Sequence, residues 1–141
     1  MSAEDNKSVN LRWIRAFNER DWTTEAAYRT PDYLAHMSGI PVPLDNDGWN
    51  AFNAEFTGAF PDAQISVEAS VAERDVVASR WTITGTHRGT FQGVPATGRL
   101  VTFSGIDFSR VVEGKLAEHW AQFDLLAVLQ QIGALPAAAH A

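Results

Sequence analysis

LVTFSGIDFSRVVEGKLAEHWAQF, residues 100–123, decides the fold. Two runs rich in Val, Ile, Phe and Trp, Leu100–Val112 and Lys115–Phe123, flank the pair Glu113-Gly114. Apolar and polar residues alternate along both runs, and an acidic residue followed by Gly is a hairpin signal, so the spacing predicts two long antiparallel strands. The faces depend on how the turn closes. A two-residue turn pairs Val112 with Lys115 and sets Asp107 opposite Trp120. A turn bulged at Gly114 pairs Val111 with Lys115 and sets Asp107 opposite His119. A slip of one residue exchanges the two faces. Gly at the third loop position favours the bulged form. That form puts Gly105, Asp107, His119, Ala121 and Phe123 on one face, with Ile106, Phe108, Trp120 and Gln122 on the other.

Upstream, Val76–His87 is another strand rich in Val, Trp, Ile and Thr, and Ile65, Val67, Ala69 and Val71 alternate with Ser66, Glu68 and Ser70. Arg74-Asp75 turns between them. Arg88–Arg99, with its Gly and Pro content, is a connecting loop. Before Pro61 the period changes to that of a helix. Ser2 caps a helix in which Val9, Trp13, Ile14 and Phe17 share a stripe, ending near Arg20. Asp21 caps a short second helix over Glu25–Tyr28, closed by Pro31. Tyr33–Met37 reads as a short strand. Asp45 or Asn46 caps a helix carrying Trp49, Phe52, Phe56 and Phe60. Downstream, Asp124 caps a terminal helix, Leu125–Ile132, ended by Gly133. Helices first, then a meander of long strands, then one short helix, is an α+β order: a curved antiparallel sheet wrapped around the N-terminal helices. One domain over residues 1–135 is expected, with 136–141 (PAAAHA) a frayed tail.

Composition narrows the chemistry. The chain has 141 residues, a formal net charge of −6 and no Cys, so disulfides, thiolate metal sites and a catalytic Cys are excluded. Charged residues at 20% and apolar residues at 45% fit a folded globular domain rather than a disordered one. The acidic balance opposes phosphate binding, and Arg12, Arg15 and Arg20 read as the wet face of a helix, so no nucleic-acid partner is expected. No apolar run is long enough to span a bilayer and no secretory leader is visible, which points to a cytoplasmic protein without a membrane partner. No nucleotide-binding Gly-rich motif occurs. His36, His87, His119 and His140 lie far apart in sequence with no metal-ligand spacing, so no metal site is expected. Eight Phe, five Trp and two Tyr are many for this length. Such rings build cores, and they also line pockets for flat apolar ligands.

Three stretches resemble a known family. GTHRGTFQGVPATG (85–98) is similar to the GTHxGxFxGxPxTG loop of SnoaL-like polyketide cyclases, RVVEGKLAEHW (110–120) to their RxxxGKIxEHW hairpin, and LQQIG (129–133) to their closing LxQLG helix. The resemblance covers nearly the whole chain. It implies the cone-shaped α+β barrel shared with ketosteroid isomerase and nuclear transport factor two. It also implies a homodimer or homotetramer that works without metal or organic cofactor. Many members act on polycyclic aromatic polyketides, some as aldol cyclases and a few as proposed hydroxylases. The expected partner is a bulky apolar or aromatic small molecule in aromatic polyketide biosynthesis.

An aldol ring closure needs a base to remove a proton α to a carbonyl and a donor to stabilise the enolate. On the bulged register Asp107 and His119 form an acid/base pair, with the carboxylate orienting the imidazole. As a wet cross-strand pair they would do no chemistry. Asp124, explained as a helix cap, is the third candidate acid/base group. The candidate substrate-binding residues are Trp13, Phe17, His36, Trp49, Phe52, Arg80, Phe103, Trp120 and Gln122. Arg80, if buried, would bind a carboxylate or phenolate; Trp81 takes the opposite face. His87 fixes the geometry of the loop, and Gly89–Gly98 is a candidate lid. In the family's aldol cyclases the acid/base Asp lies two residues after this His, a position occupied here by Ala121. That difference tilts toward cofactor-independent hydroxylation of a similar substrate. A non-catalytic binding or assembly module, with Ile106, Phe108 and Trp120 as its interface, is the other alternative.

Overall fold

The computed structural model describes residues 1–136. The elements run α1 (Ala3–Asn18), α2 (Trp22–Ala27), β1 (Arg29–Met37), α3 (Asn46–Ala59), β2 (Gln64–Glu73), β3 (Val76–Thr86), β4 (Leu100–Val112), β5 (Lys115–Phe123) and α4 (Leu125–Gln131). The strands form one curved sheet in the order β1-β5-β4-β3-β2. It does not close on itself: β1 and β2 are its two edges. Helix α1 packs across β2, β3, β4 and β5, α3 packs on β1, and α4 lies against β4. The expected α+β architecture is present, with the helices gathered on one face of the sheet.

Local chemistry explains the helix starts. Ser2 and Asp5 make a reciprocal capping box: each side chain accepts the other's backbone N–H, both at 3.0 Å. Asp21, Asp45 and Asp124 accept from the backbone N–H groups of Thr24, Gly48 and Ala127 at the starts of α2, α3 and α4. Helix α1 stops before Arg20, whose φ of 58° is left-handed. The Arg20 guanidinium donates to the carbonyls of Phe17, Pro61 and Ala63, tying this end to the entry of β2.

Several boundaries differ from the sequence expectation. Helix α2 begins at Trp22, directly after its cap, rather than at Glu25. β1 begins at Arg29 and includes Pro31; a residue without an N–H fits an edge strand, and the β1–β5 register shifts between Arg29 and Leu34. β1 also pairs parallel to β5, so the sheet is not wholly antiparallel. The tail assigned to 136–141 lies, beyond Pro136, outside the described residues.

The deciding hairpin closes in a way that combines the two expected registers. Glu113 (φ 48°) and Gly114 (φ 76°) form a two-residue turn with both residues left-handed, and Val112 pairs with Lys115. The bulge is not in the turn. It lies on β5: Val111 pairs with Leu116, but Arg110 pairs with Glu118, leaving Ala117 as the extra residue. Leu116 and Ala117 are accordingly both buried although they are neighbours. Beyond the bulge Asp107 faces Ala121 and Ser109 faces His119. Asp107 and His119 are thus diagonal neighbours rather than opposite each other. One added residue restores the parity, so Gly105, Asp107, His119, Ala121 and Phe123 share the concave face.

Gly105 on that face pairs with Trp81 of β3. The indole of Trp81 lies over it: a Cβ at this position would stand 2.7 Å from ring carbon Cζ2 and closer still to Cη2. Gly105→Ala is expected to push the indole toward the interior and to cost about 1–3 kcal/mol by overpacking. Chemical denaturation against the unaltered protein measures this; an unchanged midpoint would show that the ring has room to spare.

Candidate active site

The interior between the helices and the concave sheet face is split into two apolar groups. One gathers Phe17, Phe56, Phe60, Trp81, Ile83, Phe91, Val101 and Phe103 with Val128 and Ile132 of α4. The other gathers Val9, Trp13, Ile14, Tyr33, Trp49, Val77, Val111 and Leu116. Between them lies a cavity lined by residues of both groups and by Glu25, Asn53, Asp107, His119 and Ala121. It encloses about 710 Å³ free of atoms counted out to its mouth, of which about 90 Å³ lies a full water radius clear of the walls.

Asp107 sits in a clearing of small side chains. Its neighbours are Gly105 and Ser109 along β4, Ser79 across on β3 and Ala121 across on β5. The space they leave lets the carboxylate and the diagonal imidazole meet: His119 Nε2 stands 3.0 Å from Asp107 Oδ2, with both side chains almost fully buried. A carboxylate only accepts, so Nε2 carries the hydrogen. On the other side of the ring, Nδ1 is 3.4 Å from the Tyr33 hydroxyl, which donates to it in the neutral ring. Burial, followed by the charge of Glu25, raises the Tyr33 phenol well above its ordinary value, so it stays protonated as a donor. Both imidazole nitrogens are therefore engaged by the protein. Asp107 Oδ1 has no partner among the described residues.

The ring of His119 is held edgewise between two indoles, at 5.2 Å from Trp13 and 5.6 Å from Trp49. Trp13 and Trp49 stack on each other, and Phe52 stacks on Trp49. Glu25 fixes both indoles. Its Oε1 accepts from Trp13 Nε1 at 3.0 Å and from Trp49 Nε1 at 2.9 Å. Its Oε2 pairs with Arg29 at 3.0 Å, both side chains being almost fully buried. Arg29 in turn donates to the side-chain carbonyls of Asn46 at 2.8 Å and Asn50 at 2.6 Å, and lies over the Tyr33 ring.

The sequence-predicted residues separate cleanly. Trp13, Phe17, Trp49, Phe52, Phe103, Asp107 and His119 line the cavity. His36, Arg80, Trp120, Gln122 and Asp124 do not. Arg80 is on the outer face, because Trp81 takes the inner one. Trp120 and Gln122 are on the outer face, because the parity of the hairpin puts His119 and Ala121 inside. His36 stacks on Trp120 at 5.3 Å and bonds Glu118 at 2.8 Å. That hydrogen bond, with help from Arg110, holds the Glu118 carboxyl below its usual range. Asp124 is exposed and caps α4. The loop from 88 to 99 is anchored: His87 is fully buried with Nδ1 2.9 Å from Thr97 Oγ1, and Phe91 packs on Phe60 at 5.2 Å. Glu25, Arg29, Tyr33 and Asn53 were not singled out from sequence. The spacing of Glu25 and Arg29 by four residues was a usable signal for their pairing; Asn53 stood out as a polar residue in an apolar helical row.

Among the described residues no three His, Asp or Glu converge as a metal site, and none of their helices is long and apolar enough to cross a membrane. The chain matches the SnoaL-like polyketide cyclase family over residues 7–132. No curated protein sequence matches it significantly. Among solved structures it is similar to AclR, a candidate hydroxylase from Streptomyces galilaeus, with 30% identity over 98% of this chain and 87% of that one, at a TM-score of 0.89. It is similar to IdmH, a candidate polyketide cyclase from Streptomyces antibioticus, with 32% identity over 91% of this chain and 98% of that one, at a TM-score of 0.83. A candidate SnoaL-like polyketide cyclase from Jannaschia sp. CCS1 shares 26% identity over 95% of each chain, at a TM-score of 0.86.

Glu25→Gln is expected to leave the Arg29 charge buried without its counter-ion and to cost about 3–5 kcal/mol in chemical denaturation. Adding Arg29→Met to Glu25→Gln should recover part of that loss, because it removes the unpaired charge while the amide oxygen still accepts from the indoles. Equal destabilisation by the single and the double change would show that the pair is not the cause.

Proposed function

We propose, from the premise that this chain belongs to the SnoaL-like polyketide cyclase family, that it is an enzyme of aromatic polyketide metabolism working by acid/base chemistry. Its substrate would be a flat, uncharged aromatic ketone. One observation carries the reading: a buried carboxylate, Asp107, with one oxygen held by His119 and the other unpartnered, in a cavity walled by aromatic rings. In this reading the Asp107 carboxylate is the base; its unpartnered Oδ1 is covered by its neighbours, and those side chains yield when a ligand enters. The carboxylate removes a proton from the carbon α to the carbonyl, the resulting enolate closes a ring by attack on a second carbonyl of the same molecule, and the alkoxide so formed takes the proton back from the carboxyl group. His119 acts through Asp107, orienting it and stabilising it by its Nε2–H, with Tyr33 holding the tautomer. This reverses the expected order, in which the carboxylate oriented the imidazole, because neither ring nitrogen is free to reach a ligand. The charged lining groups Glu25 and Asp107 are both acidic, and the cation Arg29 is committed to Glu25 and the asparagines, so an anionic ligand is disfavoured.

Ala121 favours a second reading. It stands directly opposite Asp107, at the position where the resemblance puts the acid/base Asp of the aldol cyclases. The same carbanion, meeting molecular oxygen rather than a carbonyl, would be oxygenated. The similarity to AclR supports this alternative as that to IdmH supports ring closure.

Anthrone serves as a probe for both, because its C10 methylene is a carbon acid between two aryl rings. Asp107→Asn is expected to slow enzyme-dependent uptake of solvent deuterium at C10 by about 10²–10⁴-fold. Full retention of exchange by this variant would remove Asp107 from the mechanism. Enzyme-dependent formation of anthraquinone and water from anthrone and oxygen would select the oxygenation reading.

The outer sheet face supports a homodimer. Ile106 and Phe108 of β4, more than half exposed, lie beside Trp120 of β5. Three large apolar side chains exposed side by side offer a self-complementary contact, which a two-fold axis would cover with its own copy. Phe108→Glu is expected to yield monomers in sedimentation equilibrium while leaving the cavity intact. A variant that sediments as the unaltered protein does would place the interface elsewhere.

A further inference from the structure

Helix α3 turns Trp49, Asn53 and Phe56 toward the interior, and Asn53 is the polar member of that row. It is 5% exposed and lines the same cavity as Asp107 and His119. Its backbone carbonyl accepts from the Thr57 hydroxyl at 2.7 Å, but its side-chain amide makes no hydrogen bond among the described residues. The other two buried asparagines contrast with it. Asn6 donates to the Arg74 carbonyl, and Asn10 bonds both Ser109 and Ser79. Unlike Asp107 Oδ1, the amide atoms of Asn53 are not fully enclosed without a partner, and Asn53 is one of the residues that line the cavity. A primary amide facing an almost wholly apolar wall loses its water without gaining a protein partner, and native structures rarely leave such a group unused.

We infer that Asn53 is a ligand-recognition residue, whose amide N–H donates to a neutral carbonyl oxygen of an aromatic ketone seated in the cavity. The inference rests on the reading of this cavity as a ligand site and adds the group that reads the ligand's polar end. Asn53 approaches from the helix wall while Asp107 approaches from the sheet wall, so a ketone held by the amide lies with its ring system between the two. The amide carbonyl is then available to a hydroxyl next to the ketone, which makes hydroxy-ketones the class best matched to both ends of the side chain. A neutral amide adds nothing toward binding a carboxylate, in keeping with the acidic lining.

The test compares two bicyclic probes that differ in one oxygen, 2-acetylnaphthalene and 2-ethylnaphthalene, with affinities read from quenching of tryptophan fluorescence in the full chain. The preference for the ketone over the hydrocarbon is expected to fall about three- to tenfold in Asn53→Leu. The affinity for 2-ethylnaphthalene should hold or rise. Asn53→Ala, which cannot crowd the cavity, should lose the same preference. Asn53→Leu should also melt no lower than the unaltered protein, because no protein hydrogen bond is lost. An unchanged ketone preference in both variants overturns the role of the amide and leaves the cavity reading standing. A large loss of stability in Asn53→Leu overturns it too, by showing that the amide serves the fold. Failure of the unaltered protein to bind either probe overturns the cavity reading and this inference together.

Discussion

The carboxylate of Glu25 is where the helical layer is joined. Three donors converge on it, and they come from three different elements: the indole of Trp13 in α1, the indole of Trp49 in α3 and the guanidinium of Arg29 in β1. Glu25 itself is in α2, so one buried charge ties three helices to the edge strand of the sheet. Burying a carboxylate is costly unless its lone pairs are satisfied, and here both oxygens are engaged. The same contacts set the angle of the two indoles that hold His119 edgewise. The orientation of the imidazole thus follows from a charge that does not touch it.

On the sheet side the constraint is steric rather than electrostatic. Asp107 has room because Gly105, Ser109, Ser79 and Ala121 surround it, and because the Trp81 indole folds over the missing side chain of Gly105. The helix wall carries Trp13, Phe17, Trp49 and Phe56, and the sheet wall carries Trp81, Ile83 and Phe103 beside the small residues around Asp107. The cavity lies between these two walls. Polar groups enter it at few points, which is how a mostly apolar cavity still orients a ligand.

Most of the frame was legible in the sequence, because it is written in short-range signals. The caps at Ser2, Asp21, Asp45 and Asp124, the turn at Glu113-Gly114 and the period-two strands each act within a few residues. The inward face of the last hairpin was also legible, although the reason differed: the bulge lies at Ala117, not in the turn, and only the parity survives. Trp120, Gln122 and Arg80 show the limit of this reading, since a strand residue's neighbour decides its side and the sheet's curvature decides which side is interior. His36 was placed near the helices but is held outside by Glu118 and Trp120. Glu25, Arg29, Tyr33 and Asn53 escaped because their meaning lies in partners distant in sequence. The four-residue spacing signals the pairing of Glu25 with Arg29 but not the two indoles that converge on Glu25, and the pattern of α3 marks Asn53 as polar but not as lacking a partner.

The bulge at Ala117 gives the last hairpin something like a reading frame. Every residue from Glu118 to Phe123 owes its side of the sheet to one unpaired position. With it, His119 and Ala121 go to the cavity, and Trp120 and Gln122 go to the outer surface. A net loss or gain of one residue between Gly114 and His119 would transpose the two sets, burying a tryptophan where the imidazole stands and turning the imidazole outward. Changes of two would preserve the sense of the strand. Length variation in this short stretch should therefore be inherited in even steps wherever the Asp107–His119 pair is kept.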